Sequence, residues 1–135
     1  MLMSTERLLD EVAKCDIVCA NCHRIRTWLR DDPGSRRVVD GSSGLDRKRT
    51  SWRTHARLLD DLKDTPCGDC AGRFPPCAMD FDHRNARTKR TAVSRMIGRA
   101  GTATIMAEVA KCDIVCANCH RARTMVRREA GSRRE

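Results

Sequence analysis

The segment Cys116-Ala117-Asn118-Cys119-His120-Arg121 decides how this chain of 135 residues is organised. Two cysteines that are separated by two residues and followed by a histidine are typical of a metal site. A second pair with the same spacing, Cys67 and Cys70, lies upstream. Four thiolates hold zinc in a closed tetrahedron, which stabilises a fold and leaves no open position for catalysis. The sequence therefore predicts a structural zinc site made by Cys67, Cys70, Cys116 and Cys119.

The same motif is present a second time near the start of the chain. Residues 11–27 and 108–124 differ only where Ile25 is replaced by Ala122. The first copy contains Cys19, Cys22 and His23, but no CxxC pair precedes it. In the simplest account the first copy is a duplicated fragment that no longer builds a site. Residues 1–46 are then dispensable for activity. In a second account its cysteines compete with the later pair for Cys67 and Cys70. In a third, two chains share one zinc ion and form a homodimer.

Composition and charge indicate a small basic protein with a thin core. Apolar residues make up 40% of the chain and aromatic residues 3%, so a metal site is expected to add stability. The nine cysteines are an odd number, which argues against a framework made only of disulfides. The net charge of +9 favours a nucleic-acid partner, because residues 84–107 contain six basic residues and no acid. No segment has the roughly 20 apolar residues of a membrane span, and the start does not resemble a signal peptide. We therefore expect a cytoplasmic protein without a membrane partner.

The apolar spacing predicts mostly helices with one short strand. The first helix is expected over 4–14 with Thr5 as a possible cap, and the glycines, serines and aspartates that follow predict a linker at 31–46. His55, on a basic helix at 47–63, is expected to be exposed. A turn at 67–70 and a strand at 78–82 follow. The remaining helices are predicted over 90–98, over 104–111, and from His120 to a point before Gly131.

Between the two cysteine pairs lies Asp82-His83, which is the candidate for chemistry. The zinc site would place His120, directly after Cys119, near the same end of the unit. One carboxylate and one imidazole, from Asp82 and His120, can then hold a divalent cation with open positions. His83 would be free to act on water, as in metal-assisted hydrolysis.

Taken together, Cys67-x-x-Cys70, Met79-Asp80-Phe81-Asp82-His83-Arg84 and the segment 116–121 resemble the HNH (ββα-metal) endonucleases. The resemblance covers about residues 47–127 and is closest to the subgroup with a CxxC–DH–CxxCH pattern, found widely in phages and bacteria. It implies an α+β fold, in which a small ββα-metal (His-Me finger) module carries a structural four-cysteine zinc site and flanking helices. The implied domains are a partial fragment at 1–30, a linker at 31–46, a nuclease domain at 47–128 and a basic tail at 129–135.

The resemblance also implies a role for each site residue. His83 is the general base, and Asp82 and His120 hold the catalytic Mg²⁺ or Mn²⁺. Asn118 is the candidate for the middle asparagine of the family name, orienting either His83 or the backbone of the cysteine turn. Asp80 is the alternative carboxylate. Phage or mobile-element origin is plausible on the same ground.

The predicted function is therefore metal-dependent endonuclease cleavage of DNA, in which phosphodiester bonds are hydrolysed. Phosphate contacts are expected from Arg84, Arg87, Lys89, Arg90, Arg95 and Arg121. Arg123 would either neutralise a phosphate or lie on a solvated helix face. The alternative is a non-catalytic zinc-ribbon protein that binds nucleic acid, which would not need Asp82, His83 and His120 together. A further alternative keeps the fold without turnover.

Overall fold

The computed structural model describes residues 4–30 and 45–132, which form helices and one small sheet. The mixture is an α+β arrangement, as the sequence predicts. Two short 3₁₀ turns, at Pro76–Ala78 and Ala86–Thr88, flank the first strand. In chain order the elements are α1 (Thr5–Val12), α2 (Ala20–Arg30), α3 (Leu45–Leu62), β1 (Met79–His83), α4 (Val93–Met96), α5 (Thr102–Val109), β2 (Cys112–Cys116) and α6 (Ala117–Ser132).

The sheet consists of two antiparallel strands that bring the distant cysteine motifs together. In its register Met79 lies opposite Cys116, and His83 lies opposite Cys112. β2 was not among the predicted elements, although Ile114 and Val115 favour strands. Arg84, directly after β1, links that strand to the start of β2. Its guanidinium donates to the backbone oxygens of Cys112 and Ala110.

Two clusters of buried apolar side chains form the core. One holds Leu59, Val93, Met96, Ile105 and Cys112, and so joins α3, α4 and α5. The other surrounds the cysteines and holds Cys67, Met79, Val115 and Cys116. The second cluster is small, so a metal ion at its centre would supply much of its cohesion.

The two copies of the repeated sequence contain equivalent helices. α1 and α5 start and end at equivalent positions, 97 residues apart, and α2 and α6 both begin at the alanine between the two cysteines of the motif. The intervening segments differ, because residues 112–116 form β2 whereas the identical residues 15–19 form no strand. β1 already pairs with β2, and Ile17 is left 100% exposed.

Several sequence-based expectations need correction. Ser4, not Thr5, caps α1, since its side chain accepts the N–H of Arg7. α4 is much shorter than predicted, and α6 begins at Ala117 and continues past Gly131. His55 is buried rather than exposed, because its ring nitrogens contact Thr102 Oγ1 and the N–H of Gly98.

Most of the predicted linker, residues 31–44, lies outside the described residues, and its last two residues belong to α3. Among the helices that are described, none is sufficiently long and apolar to cross a bilayer.

Candidate metal centre and adjoining cavity

The four predicted zinc ligands come together in space. The sulfur atoms of Cys67, Cys70, Cys116 and Cys119 all lie within 4.8 Å of one another. A tight turn presents the first pair, since the N–H of Ala71 donates to the carbonyl of Cys67 and Ala71 has a φ of 57°. β2 and the start of α6 present the second pair. Four thiols at this spacing can hold a metal ion such as zinc, in agreement with the sequence analysis.

Electrostatics within the cluster favour a cation. Burial raises the pKa of the Cys67 thiol, but backbone N–H groups of Cys70, Cys116 and Asp69 outweigh it and bring that pKa to about 6. The N–H of Cys116 reaches Cys67 Sγ at 3.2 Å. Burial and the neighbouring cysteines raise the pKa of the Cys119 thiol strongly. Four sulfurs packed this closely cannot all ionise alone, so a bound divalent cation is what would allow the full thiolate set.

The trio of Asp82, His83 and His120 lines one cavity of about 470 Å³ beside the sheet. β1 supplies Asp82 and His83, and α6 supplies His120 from its first turn. Asp82 and His83 are buried, whereas His120 is partly exposed. Basic side chains also line the cavity, namely Lys63, Lys89, Arg127 and Arg128.

His83 is held by a carboxylate that the sequence analysis did not identify. Its Nε2 lies 2.8 Å from Glu108 Oε1, and both side chains are buried. Lys111 and the backbone N–H of Arg90 lower the pKa of the Glu108 carboxyl to about 2, with a further contribution from His83. An ionised carboxylate only accepts hydrogen bonds, so the proton of a neutral His83 lies on Nε2 and Nδ1 can accept one.

Asp82 is surrounded by arginines from α6. Arg127 contacts both carboxylate oxygens at 2.8 and 2.9 Å, and Arg123 contacts Oδ2 at 3.0 Å. Burial raises the pKa of the Asp82 carboxyl, but these arginines outweigh it and lower the pKa below its usual range. Arg123 also binds Asp69 and Asp113, so it belongs to an ion-pair network and does not lie on a solvated helix face. Its position in that network also leaves it little freedom to meet a phosphate.

His120 lies between two aspartates. Its Nδ1 is 2.8 Å from Asp80 Oδ2, and its Nε2 is 3.5 Å from Asp82 Oδ1. A ligating histidine commonly donates its other N–H to a carboxylate, and Asp80 provides that partner here. In the neutral ring the Nε2 lone pair then faces an oxygen of Asp82. The same Asp82 oxygen also accepts a hydrogen bond from Arg127 at 2.8 Å.

Asn118 is placed away from His83. Its backbone N–H donates to Asn21 Oδ1 at 3.0 Å, and the N–H of Asn21 donates to Asn118 Oδ1 at 3.3 Å. These residues occupy equivalent positions in the two copies of the motif, so α2 and α6 meet in a reciprocal arrangement. The group that contacts His83 is Glu108, not Asn118.

The first copy reaches the site through Arg24. Its guanidinium lies 2.6 Å from Asp80 Oδ1, on the carboxylate whose other oxygen contacts His120. Burial raises the pKa of the Asp80 carboxyl, but Arg24 and His120 outweigh it and lower that pKa. Sequence reasoning missed Arg24 and Glu108. The repeat could have pointed to Arg24 and Glu108, because it aligns Arg24 with Arg121 and Glu11 with Glu108.

The predicted phosphate contacts fall into two groups. Arg84 is bonded to backbone oxygens and to Asp113, so its role in the fold is evident. The others are exposed, and among the described residues no carboxylate lies within ion-pair range of them. These are Arg87, Lys89, Arg90, Arg95 and Arg121.

Comparison of the chain with protein-family models, with curated proteins and with solved structures finds no match.

Proposed function

We propose that this protein is a metal-dependent DNA endonuclease of the HNH type, with a structural zinc ion at the four cysteines. The observation that carries the proposal is that Asp82, His83 and His120 line a single cavity with a basic rim. The order of β1, β2 and α6, with α6 following β2 directly, is compatible with a ββα-metal module. Exposed arginines and lysines beyond the cavity would contact the phosphates of a duplex.

In the proposed reaction, His83 takes a proton from water at Nδ1. The Glu108 carboxylate at Nε2 holds the ring in this tautomer and stabilises the imidazolium that forms, as the buried aspartate does in a catalytic triad. A histidine suits this task because its ordinary pKa of about 6.5 is close to neutral pH.

Asp82 and His120 would hold Mg²⁺ or Mn²⁺, which supplies charge stabilisation at the scissile phosphate and the leaving oxygen. Asp80 orients His120 through Nδ1, and Arg24 holds Asp80 in turn. Arg127 contacts Asp82 through both guanidinium nitrogens and lies at the cavity wall. Arg127 would be able to pair with a phosphate oxygen in place of Asp82, since a guanidinium pairs well with either anion.

A second candidate function is binding of nucleic acid without cleavage. The observation in its favour is that the site residues already satisfy one another, because Asp82 pairs with two arginines and His83 pairs with Glu108. The same basic residues would then bind phosphates, and Asp82 would be a structural ion-pair partner.

Nicking of supercoiled plasmid with Mg²⁺ or Mn²⁺ distinguishes the two functions. We expect the wild type to nick, and His83→Ala to lose about 100-fold or more of that activity, because the general base is removed. His23→Ala is the matched control, since His23 is the exposed equivalent of His120 in the first copy.

Zinc content is measured for each variant, so that loss of fold is not mistaken for loss of the base. Equal nicking by the wild type and His83→Ala would contradict the assignment of the base. Salt-sensitive DNA binding without any nicking would instead support the non-catalytic function.

A further inference from the structure

Cys19 and Cys22 form a CxxC pair whose thiols are free and exposed. We propose that they bind a second zinc ion together with Cys19 and Cys22 of a second copy of the chain. The resulting four-thiolate site would join two chains about a two-fold axis. It is separate from the cluster of Cys67, Cys70, Cys116 and Cys119 within each chain.

The local shape of the pair suits a zinc site. α2 begins at Ala20 as α6 begins at Ala117, so the two cysteines bracket the same position of a first helical turn in both copies. The N–H of Cys22 lies 3.5 Å from Cys19 Sγ and points at that sulfur. In the second copy, where Cys116 is buried at the end of β2, the same two residues supply two corners of a four-sulfur cluster. Cys19 and Cys22 therefore present half of such a site.

The described part of the chain does not complete this half-site. Among the described residues, the sets of ligating groups close enough to share an ion comprise only the four-cysteine cluster. The sequence places no cysteine or histidine in 1–3, 31–44 or 133–135. Structural zinc sites take four ligands, most often cysteine or histidine, so the two further ligands are drawn from another molecule. The same two cysteines of a second chain, related by a two-fold axis, supply these ligands, and no other partner is needed.

The segment that precedes the pair carries uncovered apolar side chains. Ile17, two residues before Cys19, is 100% exposed, and Leu8, Leu9 and Val12 on α1 are each about half exposed or more. At the equivalent positions of the second copy, Ile105 is fully buried and Ile114 is packed against the cysteine cluster. A second chain at the thiols would cover these side chains and add hydrophobic stabilisation to the metal bonds.

The start of α2 is anchored to α6, and Cys19 Sγ also accepts a hydrogen bond from the Asn118 side chain, while both thiols remain exposed. Asn21 is buried and exchanges hydrogen bonds with Asn118 on α6. α2 is thereby anchored to its own chain. A rigid, anchored pair loses little conformational freedom when a second chain binds.

The test is zinc content and molecular mass measured together on the reduced full-length protein, after removal of loosely bound metal. We expect about three zinc ions per two chains and a mass of twice the 15.2 kDa chain. Cys19→Ser/Cys22→Ser should be a monomer with about one zinc ion per chain. That remaining ion shows that the core of the variant is still folded. Cys15→Ser/Cys77→Ser is the matched control and should keep the third ion and the dimer.

Three results would overturn the proposal. A wild-type monomer with about one zinc ion per chain would show that the exposed pair binds no metal. A monomer with about two per chain would place the missing ligands within the same chain. A dimer that survives Cys19→Ser/Cys22→Ser would show that some other surface joins the chains. Because zinc and mass are the readouts, none of these results depends on nuclease activity.

Discussion

At the residue scale, the site depends on chains of contacts in which one side chain orients the next. Glu108 contacts His83, and Asp80 contacts His120. Arg24 then reaches Asp80 from the first copy of the motif. Residues that hold a ligand or a base in position commonly affect activity strongly without touching the substrate.

Arg24→Ala tests whether the first copy takes part in the proposed reaction. Removing the guanidinium frees Asp80 and loosens His120, so we expect nicking to fall by about 10-fold. Arg26→Ala is the matched control, because Arg26 pairs with the exposed Asp16 outside the cavity. Equal activity in the two variants would instead support the expectation that residues 1–46 are dispensable. The DNA affinity of both variants is measured in parallel, which separates lost positioning from lost binding.

Glu108→Gln tests the buried carboxylate through the pH dependence of stability. The pKa of Glu108 is lowered from 4.5 to about 2 in the folded protein, so its ionised form stabilises the fold. This contribution is complete above pH 4.5 and is lost as the pH falls towards 2. We therefore expect the wild type to exceed Glu108→Gln in free energy of unfolding at neutral pH, with a difference that shrinks below pH 4.5. Urea unfolding of both proteins across this range measures the difference. If the difference in free energy of unfolding stays constant with pH, the ionised Glu108 carboxylate does not stabilise the fold in this way.

At the element scale, identical segments adopt different structures. Residues 112–116 form β2, whereas the same five residues at 15–19 form no strand. The difference lies in what surrounds each segment. β2 has β1 as its hydrogen-bonding partner, and its buried side chains belong to the two apolar clusters. A single strand has no independent stability, so local sequence cannot decide between the two outcomes.

Matched substitutions measure this difference. Val115 is fully buried, and Val115→Ala should destabilise the protein by about 2 kcal/mol, because it removes buried methyl groups. Val18→Ala makes the same chemical change in the same local sequence and should cost less than about 0.5 kcal/mol. Thermal or urea unfolding of both variants gives the comparison. Similar losses would mean that residues 15–19 are packed in solution.

At the scale of the whole molecule, the four-cysteine cluster joins the turn before β1 to the junction of β2 and α6. Cys67 and Cys70 precede β1, whereas Cys116 and Cys119 lie at the junction of β2 and α6. A zinc ion bound there would contribute about 10–16 kcal/mol of apparent binding free energy, comparable with the total stability of a small domain.

Removal of zinc should therefore unfold residues 45–132 cooperatively. We expect a strong chelator to abolish the sharp thermal transition and the dispersed amide spectrum, and added zinc to restore both. Cys67→Ser should behave like the chelated protein, because Cys67 is buried at the cluster. Cys77→Ser is the control, since Cys77 lies outside the cluster. A chelated protein that kept its transition would show that the apolar clusters suffice.

The sequence by itself determined the four cysteines of the cluster and the α+β class. Ligand spacing is a local feature of a chain and identified the cysteines, whereas the α+β class was implied by the family resemblance together with the predicted helices and strand. The sequence also shows the repeat, but it does not indicate what each copy does. Only the tertiary structure decided that Glu108 meets His83, that Arg24 meets Asp80, and that Asn118 pairs with Asn21. Each of these contacts joins residues far apart in the chain. Pairing of that kind depends on how helices pack around the sheet, and no local pattern specifies it.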